Sequence, residues 1–115
     1  MQYALLIYSN EAAMLAATEA DSQQTLAAYG AYVAAMSAEG VHLGGQRLRP
    51  TSTATTVRTG DGKTQVLDGP YADTKEQLAG FFLIEAPNLD AALSWAQRCP
   101  GASRGTIEVR PIWQM

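Results

Sequence analysis

The sequence has 115 residues, of which 47% are hydrophobic and 17% are charged. This composition predicts one globular domain over residues 1–115, able to bury roughly two thirds of its unfolded surface, and it excludes an intrinsically disordered chain. The net charge of −3, with two lysines among eight basic residues, argues against a nucleic-acid partner, because such proteins usually carry a basic stripe.

The N-terminus and the cysteine content indicate a cytoplasmic protein. The start, "MQYALLIYSNE", has no basic leader and only a short apolar run, so we expect neither a signal peptide nor a membrane span. Its one cysteine, Cys99, has no partner for an internal disulfide, which favours a reducing compartment.

In the first half of the chain, two segments predict strands. Residues 3–8 ("YALLIY") are apolar at every position, which is typical of a strand covered on both faces. Residues 9–20 are alanine-rich and ambiguous, and we expect a loop with one helical turn. Residues 41–47 predict a second strand, which ends before Pro50.

A helix is predicted between these two strands. Asp21 and Gln24 have capping-box spacing and open a helix that runs to about Glu39, and Gly40 closes it by taking a positive φ. Apolar residues recur on it at intervals of three and four, which predicts a buried stripe of Leu26, Tyr29, Val33 and Met36.

The second half of the chain predicts a hairpin, a strand, a helix and a last strand. Residues 52–68 form the hairpin, because β-branched residues flank the tight-turn sequence Gly60-Asp61-Gly62. Residues 79–86 ("AGFFLIEA") are a strand with two apolar faces. The helix is capped by Asn88 or Asp90 and stopped at Pro100-Gly101, and residues 105–113 alternate as a half-exposed strand.

This order of elements, β-α-β, hairpin, β-α-β, predicts a ferredoxin-like α+β fold with an antiparallel sheet and both helices on one face. The opposite face would be apolar and bare, because residues on both sides of the strands 3–8 and 79–86 are apolar. Soluble monomers rarely expose such a patch, so we predict a homodimer that packs sheet to sheet. The alternative is that residues 9–20 or the C-terminal tail fold over this face.

The stretch "DGPYADTKEQLAGFF", residues 68–82, supports two interpretations. As a connector, it turns at Gly69-Pro70 and starts a helical turn over residues 74–77, capped by Asp73 with Glu76. As a binding loop, it would bring together an acid, a phenol, an ammonium and a second acid: Asp68, Tyr71, Lys75 and Glu76.

Arginines on neighbouring segments are candidates to bind a carboxylate-bearing ligand, namely Arg47, Arg49 and Arg58. The alternative is that they pair with acids on the sheet. The one histidine, His42, is more typical of a structural position, and Cys99 of a packed small residue. One histidine and one cysteine cannot make a zinc-type cluster within a chain, so we predict no metal and no cofactor.

The stretch "DGPYADTKEQLAGFFLIEA", together with "YALLIY", "GGQRLRPTSTATTVR" and "LSWAQRCPGASRGTIEVRPI", resembles the DGPF-type proteins of the YCII-related family. Tyr71 stands where those proteins usually have phenylalanine. The resemblance covers nearly the whole chain and implies a dimeric α+β barrel. It implies little about activity, although DGPF-type proteins resemble companions of extracytoplasmic-function sigma factors, which makes a sigma factor a candidate partner.

The resemblance also implies where a catalytic pair would stand. Other YCII-related proteins are proposed to use a histidine on the first helix and an aspartate just before a proline after the second, and Tyr29 and Cys99 occupy these positions here. Neither group titrates near neutral pH unless its pKa is strongly shifted. Three hypotheses remain for the chain as a whole. It is a small-molecule-binding homodimer that includes Tyr29 in its site, an acid–base enzyme that uses Asp68 or Glu76 with arginine for charge stabilisation, or a protein-interaction or structural dimer without a ligand.

Overall fold

A computed structural model describes residues 1–114 and confirms the ferredoxin-like α+β architecture. Its strands are β1 (Gln2–Ser9), β2 (His42–Arg47), β3 (Thr55–Gly60), β4 (Lys63–Asp68), β5 (Gln77–Glu85) and β6 (Thr106–Pro111). Its helices are α1 (Glu11–Leu15), α2 (Glu19–Ala38) and α3 (Leu89–Arg98), with 3₁₀ turns at Thr51–Thr53 and Pro100–Ser103. Within the described residues, no helix combines the length and the apolar character needed to span a membrane.

Four of the strands form one antiparallel sheet in the order β2-β5-β1-β6. Leu5 in β1 lies opposite Phe82 in β5 and Val109 in β6, and this register places all three side chains on the face that the helices cover. Leu5 and Ile84 are fully buried there. The alternation of Ile107 and Val109 with polar residues, predicted for the last strand, is confirmed by this register.

The long helix α2 begins three residues earlier than the sequence predicts. Thr18, not Asp21, is the N-cap, and its hydroxyl oxygen accepts a hydrogen bond from the Asp21 amide over 3.1 Å. Asp21 therefore lies inside the first turn, where a carboxylate stabilises the positive end of the helix dipole. The predicted closure at Gly40 is confirmed by its φ of +70°.

The buried stripe of α2 is rotated from the predicted one. Tyr32 and Met36 are buried, and Tyr29 and Val33 are partly buried against them. Leu26 is wrongly placed by the prediction, since 58% of it is exposed. The half-buried residue at that level of the helix is Thr25, whose hydroxyl accepts a hydrogen bond from Arg104 in the turn before β6.

The helix layer is completed by α3, whose Trp95 ring packs edge-on against Tyr32 of α2. Asn88 is its N-cap and accepts a hydrogen bond from the Ala91 amide, which decides between the two predicted caps. The buried Tyr32 hydroxyl donates to the Trp95 carbonyl over 2.6 Å, so the two helices are joined by a buried hydrogen bond as well as by packing.

The opposite surface of the sheet, which we call the outer face, is apolar at its centre. Ala4 and Leu6 of β1 lie there beside Phe81 and Leu83 of β5, and all four are only partly buried. The molecule is 19 Å thick along its shortest axis, which is about the thickness of one sheet and one helix layer. The tail residue Trp113 is 87% exposed, so it buries little of this face.

The hairpin β3–β4, which we call the arm, forms a separate two-stranded sheet. Its turn residues Asp61 and Gly62 have φ values of +50° and +72°, the two positive angles that a two-residue type I′ turn requires. The predicted hairpin is therefore confirmed. Every residue of its two strands except Thr56 is exposed.

Candidate functional site

The polar residues that could bind a ligand gather at one end of the four-stranded sheet. At this end β1 finishes, β5 and β6 begin, and the arm returns to the body through residues 69–76. Ser9 pairs with Gln77 and Tyr8 with Thr106, so the register itself brings the ends of three strands together.

The connecting segment 69–76 is an irregular loop and not a helical turn. Gly69 has a φ of +113° and its amide donates to the Ala54 carbonyl over 2.8 Å, which closes the base of the arm. The helical turn predicted over residues 74–77 is wrong: the Thr74 hydroxyl donates to the Glu76 carbonyl, and the side-chain amide of Gln77 donates to the Thr74 carbonyl. Pairing with Ser9 holds Gln77 extended, which overrides the local capping pattern.

An open groove of about 640 Å³ lies against this loop, lined by Tyr8, Asn10, Thr74, Lys75, Glu76 and Thr106. Because Tyr8 and Thr106 lie on the outer face, the groove opens on the side of the sheet away from the helices. Glu76 is half-buried and accepts a hydrogen bond from the Thr106 hydroxyl over 2.7 Å. Asn10 caps α1 with its side-chain oxygen, which leaves its amide nitrogen available to a ligand.

The structure distributes the sequence-predicted site residues over several places. Lys75 and Glu76 line the groove together. Asp68 ends β4 opposite Thr55 and is exposed, and Tyr71 is 88% exposed. Arg58 lies on the arm.

Arg49 and Arg47 line a second, much smaller cavity of about 10 Å³. Glu11 lies there too, and its carboxylate accepts hydrogen bonds from the Thr51 amide and the Thr51 hydroxyl, both over 2.6 Å. This pair ties α1 to the 3₁₀ turn that leads into the arm. Asn10 and Glu11 are site residues that were not predicted from the sequence. The tripeptide Ser-Asn-Glu before an alanine run was the signal for a helix cap with an acidic first turn.

Tyr29 and Cys99, the two positions that the family resemblance singles out, are neighbours on the helix side of the sheet. The Cys99 thiol donates a weak hydrogen bond to the Tyr29 hydroxyl over 4.0 Å, and the Tyr29 ring stacks on Phe82. Phe82 faces the helices, so Tyr29 and the groove lie on opposite sides of the sheet.

Neither group of this pair is suited to proton transfer near neutral pH. Burial raises the pKa of the Tyr29 hydroxyl above its ordinary value of 10.0, and the neighbouring Cys99 thiol raises it further. Burial also raises the pKa of Cys99 above its ordinary value of 9.0. Both groups therefore stay protonated and pack as neutral side chains.

His42 lies on the helix side, where its ring packs edge-on against Phe82 at 5.9 Å. This contact fits the structural interpretation of His42. Across residues 1–114, no three histidine, cysteine or acidic side chains are grouped closely enough to hold a metal ion.

Comparison with known proteins finds a matching domain family and one uncharacterised relative. The model of the YCII-related domain matches residues 1–115. An uncharacterized protein of Rhizobium meliloti (strain 1021) is 41% identical over 115 residues, covering 97% of this chain and 92% of that protein.

Proposed function

The chain belongs to the YCII-related domain family, and we propose that it is a homodimer that binds a small, carboxylate-bearing molecule in the groove beside residues 69–76. The observation that carries this proposal is the lining of the groove. An ammonium, a carboxylate, a phenol, an amide and two hydroxyls converge there around about 640 Å³ of open space. Ligand sites characteristically combine such a concavity with a few convergent polar groups.

The preference for an acidic ligand rests on Lys75. Its ammonium forms no salt bridge within residues 1–114, whereas the neighbouring Glu76 has the Thr106 hydroxyl as a partner. A carboxylate placed in the groove would meet the ammonium of Lys75 and the amide nitrogen of Asn10, which are both hydrogen-bond donors.

The position of the groove supports the proposed homodimer. The groove opens onto the outer face, whose apolar centre is only partly buried in one chain. A second copy packed on this face would bury Leu6, Phe81 and Leu83 and would wall the groove on its open side.

An acid–base reaction is not part of the proposal. Asp68 is exposed outside the groove, and Tyr29 and Cys99 are neutral and lie on the other side of the sheet. The proposal includes assignment of the chain to the DGPF subgroup, which the sequence of residues 68–86 supports. A sigma-factor partner and a cytoplasmic location stay predictions.

Calorimetric titration with succinate, and with succinamide as its neutral counterpart, tests the proposed site. We expect succinate to bind in preference to succinamide, and Lys75→Ala to weaken succinate by about tenfold, as loss of one charge-assisted hydrogen bond implies. Lys63→Ala is the matched control, because it removes the same charge at the turn of the arm, outside the groove. Equal binding of both compounds, or none of either, would contradict an acidic-ligand site.

A further inference from the structure

The arm carries large apolar side chains that the rest of residues 1–114 leaves mostly exposed. Val57 and Val66 lie directly opposite each other and are 62% and 63% exposed. An isolated two-stranded hairpin is at best marginally stable in water. The arm therefore needs a partner surface to be held in its observed extended form.

The two faces of the arm differ in charge. One face carries Val57 and Val66, flanked by Thr59 and Thr64, whose hydroxyls bond each other over 3.0 Å. Arg58 and Lys63 lie on the opposite face, because side chains alternate along each strand. The first face is β-branched apart from Asp68 at its base, and the second carries Leu67 beside its two basic residues. The outer part of the first face, which bears no charge, is suited to packing against protein.

The size of the exposed surface indicates what the partner is. The chain has 8101 Å² of accessible surface, whereas a compact monomer of its mass exposes roughly 6,100 Å². Its radius of gyration of 16.0 Å similarly exceeds the value of about 13 Å expected for a compact domain of this length.

This excess of roughly 2,000 Å² is more than twice the area of about 800 Å² that each partner buries in a standard interface. The bare outer face and the arm both contribute to it. Each chain thus has one uncovered sheet face and one uncovered arm, and a two-fold dimer can cover both with a second copy.

We infer that the arm is an intermolecular clasp, which packs its Val57–Val66 face against the body of a second copy of this chain. This inference rests on the homodimer of the proposed function. It adds that the partner completes the ligand site, because β4 runs directly into residues 69–76 at one edge of the groove. An arm fixed on the partner fixes the loop that carries Lys75 and Glu76.

The double variant Val57→Thr/Val66→Thr tests the clasp, since threonine keeps the β-branched shape and removes the apolar contact. We expect the dimer dissociation constant, measured by sedimentation, to rise at least about tenfold, because the dimer has two such arms. The control is Lys63→Thr/Gln65→Thr, which changes two residues of β4 on the opposite face of the arm. It should leave the dimer dissociation constant unchanged.

Hydrogen–deuterium exchange on the unaltered chain gives a second test that does not depend on a variant folding. Amides of β3 and β4 should exchange slowly in concentrated protein and at least about tenfold faster after dilution below the dissociation constant. Exchange that is fast at both concentrations, or a dissociation constant unaffected by the valine changes, would overturn the clasp. If either result is found and the protein is still dimeric, the clasp is refuted and the proposed function is not. Failure of succinate to bind refutes the proposed function and does not bear on the clasp.

Discussion

Replacing Phe81 or Phe82 with aspartate tests the two apolar faces of the sheet independently, because the side chains of these neighbouring residues point to opposite faces. Phe82 faces the helices, where its ring lies 6.3 Å from that of Tyr29 and 5.6 Å from that of Tyr32. Phe81 lies opposite Leu6 and Gln46 on the outer face. We expect Phe82→Asp to unfold the chain, and Phe81→Asp to dissociate the proposed dimer into folded monomers.

The expected magnitudes follow from what each ring contacts. Phe82 is partly buried against the core. Removing a core phenylalanine costs about 3–5 kcal/mol, and a partly desolvated carboxylate adds to that cost, so the loss reaches the lower end of a typical total stability of about 5–15 kcal/mol. Phe81 is outside the core, so its replacement leaves the fold intact. In a two-fold dimer the variant removes two buried phenylalanine rings, which lowers the free energy of association by about 3–6 kcal/mol. The dissociation constant should therefore rise at least about a hundredfold.

Circular dichroism and sedimentation velocity read these two outcomes separately. Gln24→Asp is the matched control, because it adds the same charge at an exposed position on α2. If Phe81→Asp is as tightly dimeric as the parent protein, the outer face is not the dimer interface. If Phe82→Asp remains folded, the packing described for the core is wrong.

Two further predictions concern the helix layer. The free energy of unfolding should fall as the pH rises above about 9. The pKa values of Tyr29, Tyr32 and Cys99 are raised in the folded chain, so the unfolded chain loses protons that the folded chain keeps. Urea titrations at about pH 8 and pH 10 measure this change, and equal stability at both would contradict the burial of these groups. Tyr32→Phe should cost about 1–3 kcal/mol by leaving the buried Trp95 carbonyl without its donor; thermal unfolding measures the loss, with Tyr71→Phe, which changes an exposed hydroxyl, as the control.

Those parts of the fold that depend on neighbours in sequence could be predicted. Asp61 and Gly62 specify the hairpin turn by their own conformational preferences, and Gly40 does the same for the end of α2. The apolar runs of β1 and β5 likewise indicated strands with two apolar faces, which the register then confirmed.

Features that depend on distant contacts could not be predicted. The capping pattern of Asp73 and Glu76 indicates a helical turn locally, yet pairing between Ser9 and Gln77 extends the chain there. Glu11 bonds Thr51 across 40 positions, a contact that no local pattern announces.

The candidate site was predicted in part for the same reason. The loop residues Lys75 and Glu76 were named from the sequence, and both line the groove. The side of the sheet on which Tyr29 lies depends on helix packing and strand register together. The sequence alone therefore could not show that Tyr29 and the two loop residues lie on opposite sides. Arg58 stands on the arm, which forms its own two-stranded sheet and does not join the four-stranded one.

The homodimer is the claim on which the groove, its ligand and the clasp all depend, and the mass of the unaltered chain in solution tests it most directly. Sedimentation equilibrium at micromolar concentration should give a particle of twice 12.3 kDa. A mass of 12.3 kDa at every concentration accessible to the method would contradict the account.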